Sequence, residues 1–74
     1  MTNQLNSLEF VGVRIAHFRK KNGYTQESFA EKLNVDPRSV RAWEGDEFIP
    51  RLSKLIQICN LLGIEISSLI CIAE

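Results

Sequence analysis

The chain has 74 residues, of which 45% are hydrophobic, and its nine basic residues are balanced by nine acidic ones. A chain of this length predicts one domain, which buries only about 60% of its unfolded surface and leaves little room for a large substrate cavity. Zero net charge argues against a protein that holds nucleic acid by bulk positive charge alone.

The N-terminal segment and the cysteines favour a cytoplasmic location. Residues 1–7 are polar and lack the basic start and apolar run of a signal peptide, so we expect a flexible tail before a single domain over residues 8–72. No apolar stretch approaches the roughly 20 residues that span a bilayer, and no membrane contact is expected. Cys59 and Cys71 lack the spacing of a zinc site, which predicts two free core thiols and no bound metal.

Apolar residues at spacings of three and four predict a first helix over residues 8–21. Its stripe consists of Leu8, Val11, Ile15 and Phe18, and Ser7 is the expected N-cap. Asn22 and Gly23 end this helix, because both residues tolerate the left-handed backbone that closes a helix.

Capping residues predict a second helix over about residues 25–33 and a third over about residues 37–44. Thr25 is the expected N-cap of the second helix. The dipeptide Asp36-Pro37 predicts the start of the third, because Asp caps a helix and Pro needs no N–H at the first helical position. A turn of about three residues therefore joins the two helices.

The third helix has two distinct faces. Val40 and Trp43 fall on one side and are expected to pack in the core, whereas Arg38 and Arg41 fall on the other. A protruding helix fits the major groove of DNA, and arginine can donate two hydrogen bonds to O6 and N7 of guanine. The second and third helices together predict a helix-turn-helix.

The C-terminal part of the chain predicts a fourth helix and, after it, a further element that fits two kinds of structure. Pro50 precedes a fourth helix that Gly63 ends. The apolar stripe of that helix is predicted to be Leu52, Leu55, Ile56, Cys59 and Leu62. Residues 64–72 are compatible with a short fifth helix over about residues 65–70 or with a strand-like tail. These elements together predict an all-α fold.

Residues 11–70 resemble the helix-turn-helix domain of the phage repressor and Cro family of transcriptional regulators, also called the XRE family. The similarity rests on the segments VGVRIAHFRKKNGYTQESFAEKLNV and DPRSVRAWE, a following proline, and LIQICNLLGI, in that order and spacing. It implies a compact five-helix domain of the lambda-repressor-like type. The third helix would then be the recognition helix, lying in the major groove of double-stranded DNA.

The resemblance also implies roles for individual residues. Gln26 corresponds to a glutamine that contacts a DNA phosphate, and Arg51 to a position that contacts the DNA backbone. The reading positions of the recognition helix would be Pro37, Arg38, Ser39, Arg41 and Ala42. Arg19 and Glu44 correspond to a salt bridge that joins the first helix to the end of the third.

The chain departs from the family pattern just after the recognition helix. The family has W-E-x-G followed by basic residues, whereas this chain has Trp43, Glu44, Gly45, Asp46 and Glu47. The glycine therefore comes one place early and the loop is acidic. Its carboxylates would repel phosphates unless they point away from DNA or serve another partner.

The last apolar residues of the chain predict an interface between two copies. These residues exceed what the core of so small a domain is expected to cover, and an exposed apolar patch often marks an interface. They are Ile64, Ile66, Leu69, Ile70 and Ile72. DNA-binding members of the family that this chain resembles usually bind two half-sites about 34 Å apart, so the resemblance also implies a homodimer.

The function predicted from these features is sequence-specific DNA binding by a transcriptional regulator on a two-fold symmetric operator. The alternative is a protein-interaction module of the same fold, an adaptor or antitoxin-like partner that uses the acidic loop. An enzyme is not expected, because the single histidine, His17, and scattered carboxylates do not assemble a nucleophile, a base and an orienting group. We also expect no cofactor and no small-molecule ligand.

Overall fold

The computed structural model describes residues 10–70, which contain four α-helices, a short 3-10 helix and no strand. The elements are α1 (Val11–Lys21), α2 (Gln26–Leu33), α3 (Pro37–Glu44), α4 (Leu52–Leu62) and a 3-10 turn (Ile66–Ser68). The all-α prediction is confirmed, but the predicted fifth helix is only this 3-10 turn. The predictions for residues 1–8, Cys71 and Ile72 lie outside the described residues.

Short-range hydrogen bonds fix the start of α2 and the turn that follows it. The Ser28 N–H donates to Thr25 Oγ1 and the Thr25 N–H donates to Ser28 Oγ, each at 2.9 Å. Serine thus completes a capping box in the position that Glu or Gln usually occupies. Asn34 ends α2 in the left-handed conformation with φ of 59°. Asp36 then caps α3, and its Oδ1 accepts from the Arg38 N–H at 2.8 Å.

The core lies among the four helices. α3 packs against α1 and α2, while α4 packs against α2 and the 3-10 turn. The largest fully buried side chains are Phe29, Ile15, Ile58, Leu69, Val11 and Val40. Ala30 is also fully buried, so α2 has a small side chain on the face that it turns toward the core. With its inner face packed in this way, α3 presents only its opposite face to solvent.

The buried face of α4 differs from the predicted stripe. Leu52 and Ile56 are 65% and 48% exposed, so the prediction that they belong to the core is wrong. The buried residues are Leu55, Ile58, Cys59 and Leu62. Ile56 lies about 100° around the helix from Leu55, which turns it away from this face. At the start of α4, Lys54 Nζ donates to the carbonyl of Leu33 at 3.2 Å and thereby caps the end of α2.

The residues around the 3-10 turn pack more closely on the core than the sequence suggested. Leu69 is fully buried, which corrects the prediction that it forms part of an exposed dimerisation patch. Ile64 and Ile70 are half-buried against the same core, and Ile66 is 38% exposed. The cause is that the chain folds back on α4, so the small core covers more of these side chains than expected. The exposed apolar surface here is therefore centred on Ile66.

Cys59 is a free, buried thiol on the inner face of α4. Burial raises its pKa above the ordinary value, because the charged thiolate would be poorly solvated there. Cys59 therefore packs as a small apolar residue, which agrees with the prediction for this cysteine.

Candidate nucleic-acid interface

The outward face of α3, the predicted recognition helix, carries two arginines. Val40 and Trp43 anchor the opposite face in the core. The side chain of Arg38 is 82% exposed, and that of Arg41 is half exposed. The helix therefore presents guanidinium groups to solvent while its other face is fixed, which is the arrangement that major-groove binding requires.

A shallow concavity lies beside these arginines. Its volume is about 420 Å³, and it is lined by Asp36, Arg38, Ser39, Ala42, Trp43 and Phe48. Pro37, Ser39 and Ala42, the other predicted reading positions, are each half-buried. Phe48 forms an apolar wall and is 67% exposed, although nothing in the sequence pattern singled it out. The surface offered by α3 therefore has two exposed arginines and a hollow lined by both polar and apolar side chains.

Each exposed arginine of α3 has a carboxylate neighbour. Arg38 Nη2 lies 3.2 Å from Asp36 Oδ2, and Arg41 Nη1 lies 3.7 Å from Glu27 Oε2 on α2. Hydrogen bonds from Arg38 hold the pKa of Asp36 below its ordinary value, and the same contacts raise the pKa of Arg38. Both pairs are solvent-exposed, so they add little to the stability of the fold. They do lower the positive potential of the surface.

A buried ion pair ties α1 to the end of α3. Arg19 Nε donates to Glu44 Oε2 at 2.6 Å and Arg19 Nη2 donates to Glu44 Oε1 at 3.2 Å. The two side chains are only 8% and 9% exposed. Arg19 Nη1 also donates to the carbonyl of Tyr24 at 2.7 Å, in the loop between α1 and α2. One guanidinium group thus links three segments that position the helix-turn-helix.

Gln26, at the first position of α2, is attached to the same network. Its Nε2 donates to Glu44 Oε1 at 3.0 Å, and the residue is half-buried. An amide nitrogen has two N–H groups, so one of them stays free to donate to a phosphate. The first backbone N–H groups of a helix also have no partner inside the helix, and the dipole there favours an anion. Arg51, the N-cap of α4, is exposed.

Part of the acidic loop points away from the arginines. Asp46 has φ of 60°, the left-handed conformation that suits the glycine of the family pattern. Its Oδ1 accepts a hydrogen bond from the N–H of Gly12 at 3.2 Å, at the start of α1. This carboxylate therefore caps α1, while Glu47 remains exposed. Asp46 and Glu47 are the two loop acids that depart from the family pattern, and the hydrogen bond from Gly12 explains the position of Asp46.

Gly12 allows α1 to approach the end of α3 very closely. A Cβ atom at this position would lie 2.3 Å from the carbonyl oxygen of Trp43 and 2.9 Å from that of Glu44. Real Cβ atoms are not found at such distances from backbone atoms. Sequence reasoning missed this residue, although a glycine inside an amphipathic helical pattern is a recognised sign of close packing.

The described part of the chain shows no features of a membrane span or a metal site. Among residues 10–70, no helix is long and apolar enough to cross a membrane. The same residues contain no group of three or more His, Cys, Asp or Glu side chains that could hold a metal ion.

Comparison with known proteins matches residues 15–69 to a family described as Helix-turn-helix. The immunity repressor protein of Bacillus phage phi105 is 37% identical over 60 residues, which cover 81% of this chain and 42% of that protein. The HTH-type transcriptional regulator ImmR of Bacillus subtilis (strain 168) is 35% identical over 54 residues, which cover 73% of this chain and 42% of that protein. The chain thus spans less than half the length of these relatives.

Solved structures show the same fold. The regulator of biofilm formation SinR, in a crystal structure with DNA, matches with a TM-score of 0.74 at 27% identity, over 80% of this chain and 95% of that one. Hydroxypropylphosphonic acid epoxidase from S. wedmorenis matches with a TM-score of 0.79 at 24% identity, over 90% of this chain and 36% of that one. The second likeness shows the fold alone.

Proposed function

Because the chain belongs to the helix-turn-helix family of the phage repressor and Cro type, we propose that it binds double-stranded DNA sequence-specifically and regulates transcription. The observation that carries this proposal is the outward face of α3. Arg38 and Arg41 are exposed there, while Val40 and Trp43 fix the other face in the core. In this role α3 lies in the major groove, where arginine reads guanine.

The proposed DNA backbone contacts lie outside α3. Gln26 supplies a side-chain amide N–H, the backbone N–H groups of Gln26 and Glu27 lie at the start of α2, and Arg51 supplies an exposed guanidinium group. The link from Gln26 to Glu44 supports this assignment, because it holds the amide on the buried Arg19–Glu44 pair. Such contacts fix the register of a protein on the duplex and carry no sequence information themselves. We expect this function in the cytoplasm, where bacterial and phage DNA lies.

We further propose a homodimer on an operator with two-fold symmetry. Its interface would be centred on Ile66, with half-buried Ile64 and Ile70 beside it. Sedimentation of the full chain tests the proposal, with Ile66→Asp expected to shift dimer to monomer. Ile49→Asp is the matched control, because Ile49 is similarly exposed, at 46%, in the loop between α3 and α4. Monomer at high concentration for the unaltered chain would refute the dimer.

The DNA-binding proposal is tested by selecting preferred duplexes from a random pool with the full chain. We expect a preferred sequence, an inverted repeat within it, and affinity that falls as salt rises from about 50 to 200 mM. Arg38→Ala should cost about 1–3 kcal/mol on the preferred duplex. Lys32→Ala is the matched control, because it removes the same charge from an exposed position in the last turn of α2. No enriched sequence and no salt-dependent affinity would refute the proposal.

The same experiment addresses the alternative of a protein-interaction module. That alternative relies on the acidic loop, in which Asp46 and Glu47 are both exposed and Asp46 also accepts a hydrogen bond from the Gly12 N–H. The contact of Asp46 with the start of α1 gives that carboxylate a structural role, which weakens the case that it serves a partner protein. Absence of DNA binding in a folded chain would restore the alternative.

A further inference from the structure

We propose that Asp36 is a positioning residue for DNA recognition, which holds Arg38 with one edge of its guanidinium group free to read a guanine. The inference rests on the proposed function and deepens it. It assigns to the N-cap of α3 a second role, in specificity, besides its role in starting the helix.

The geometry of the pair shows which donors are occupied. Arg38 Nε donates to Asp36 Oδ1 and Arg38 Nη2 donates to Asp36 Oδ2, each at 3.2 Å. The carboxylate thus holds the edge of the guanidinium group formed by Nε and Nη2. Oδ1 also accepts a hydrogen bond from the Arg38 backbone N–H at 2.8 Å. The carboxylate is therefore held at the helix start independently of its contacts with the Arg38 side chain.

The remaining donors of Arg38 match a guanine. A guanidinium group has five N–H donors, of which the carboxylate uses two. The two N–H groups of Nη1 and the second N–H of Nη2 stay free. Nη1 and Nη2 together form the fork that can donate to O6 and N7 of guanine. Arg38 can therefore contact Asp36 and a guanine at the same time, through different edges.

The surroundings of the pair give the base edge a place to lie. Asp36 and Arg38 both line the concavity next to α3, and the Arg38 side chain is 82% exposed. An arginine held in this way loses less side-chain freedom on binding than an unrestrained one.

The Asp36 carboxylate is also expected to weaken DNA binding, which makes the inference testable. A carboxylate at the start of the recognition helix repels DNA phosphates, so it weakens binding to every sequence. A positioning role therefore predicts two effects of opposite sign when the carboxylate is removed. Discrimination in favour of guanine falls, and affinity for random duplex rises. A purely structural N-cap or an ordinary surface ion pair does not predict lower discrimination.

The test uses Asp36→Ser in the full chain, because serine is as good an N-cap as aspartate but cannot accept two guanidinium N–H groups in this way. Each guanine of the selected duplex is replaced in turn by 7-deazaguanine, which lacks the N7 acceptor. We expect the unaltered chain to lose about tenfold in affinity at one guanine or more per half-site. Asp36→Ser should lose less than about twofold there and should bind random duplex more tightly.

Two further variants serve as controls. Arg38→Ala removes the guanidinium group, and it should lose the sensitivity to 7-deazaguanine. Glu27→Gln removes the carboxylate beside Arg41, and it should raise affinity for random duplex while leaving the sensitivity at the Arg38 guanine unchanged. Thermal unfolding of each variant confirms that it is folded.

The outcomes separate this inference from the proposed function. If Asp36→Ser keeps the full sensitivity to 7-deazaguanine, the positioning role is refuted. If the unaltered chain binds a preferred duplex with no guanine sensitivity, the inference fails while DNA binding stands. If no duplex is enriched at all, the proposed function fails first.

Discussion

Replacing Gly12 with alanine should destabilise the fold, because α1 and the end of α3 meet at this residue. The added Cβ would lie 2.3 Å from the Trp43 carbonyl oxygen, 2.7 Å from Asp46 Oδ1 and 2.9 Å from the Glu44 carbonyl oxygen. Two of these atoms belong to the backbone, which cannot turn aside as a flexible side chain can. The helices must therefore separate, and the hydrogen bond from Gly12 to Asp46 lengthens or breaks.

The size of the effect follows from three contributions. Overpacking of this kind costs about 1–3 kcal/mol, and loss of the hydrogen bond costs about 1 kcal/mol more. Alanine regains about 1 kcal/mol, because it favours a helix over glycine. The net destabilisation is about 2 kcal/mol, against a total of about 4–11 kcal/mol expected for 74 residues. A domain of this size should then lose about 10 °C in Tm.

Thermal and urea unfolding followed by circular dichroism measure this change. Gly45→Ala is the matched control, because Gly45 has φ of −90° and its nearest contact for an added Cβ is 3.3 Å, to the Arg41 carbonyl oxygen. The control should lose much less stability than Gly12→Ala, because a shift of a few tenths of an ångström relieves its one tight contact. A Gly12→Ala chain that is as stable as the unaltered one would show that the two helices do not approach as described.

Three other predictions concern the contacts around the recognition helix. Glu44→Ala should cost about 3–5 kcal/mol in urea unfolding, because it leaves Arg19 charged and buried without its partner; a loss below about 1 kcal/mol would contradict the buried pair. Asp46→Ala should destabilise the fold by about 1–2 kcal/mol, because it removes the cap of α1 and places alanine in a left-handed backbone conformation. Asp46→Gly should cost less, because glycine tolerates that conformation, and equal losses would show that the conformation is unimportant. The lowered pKa of Asp36 stabilises the fold above the ordinary carboxyl pKa, and this contribution is lost as pH falls from about 4 through the folded value. Asp36→Ser should flatten that part of a plot of Tm against pH, and an unchanged plot would exclude the linkage.

Contacts between residues that are close together along the chain could be predicted, because both partners lie within one local sequence pattern. The capping of α2 by Thr25 and of α3 by Asp36 follows from residues within three positions of each cap. The two faces of α3 follow from helical spacing, since Val40 and Trp43 are buried and Arg38 is exposed. Arg19 and Glu44 were identified only through a family resemblance, because spacing alone does not relate residues 25 positions apart.

Features that depend on tertiary packing could not be predicted. A run of apolar residues in α4 fits more than one stripe, and only the position of α2 and the 3-10 turn selects Ile58 over Ile56. The sequence predicts that Leu69 is available to a partner, because no local pattern shows that the chain folds back onto α4 and buries this side chain. Gly12 and Asp46 are 34 positions apart, and neither residue alone reveals their contact.

The distribution and pairing of charges in the structure bear on how this neutral chain would bind DNA. Between Arg14 and Lys54 there are nine basic and six acidic residues, an excess of three. Three of those basic side chains, Arg19, Arg38 and Arg41, have a carboxylate within 4.0 Å. The long-range field is therefore weak, and so is the sequence-independent part of DNA affinity, which depends on the number of phosphates neutralised. Under the proposed function, binding must then rely on hydrogen-bond donors that are held in place. The ion pair between Asp36 and Arg38 lowers the positive potential, and the same contact holds the Arg38 donors.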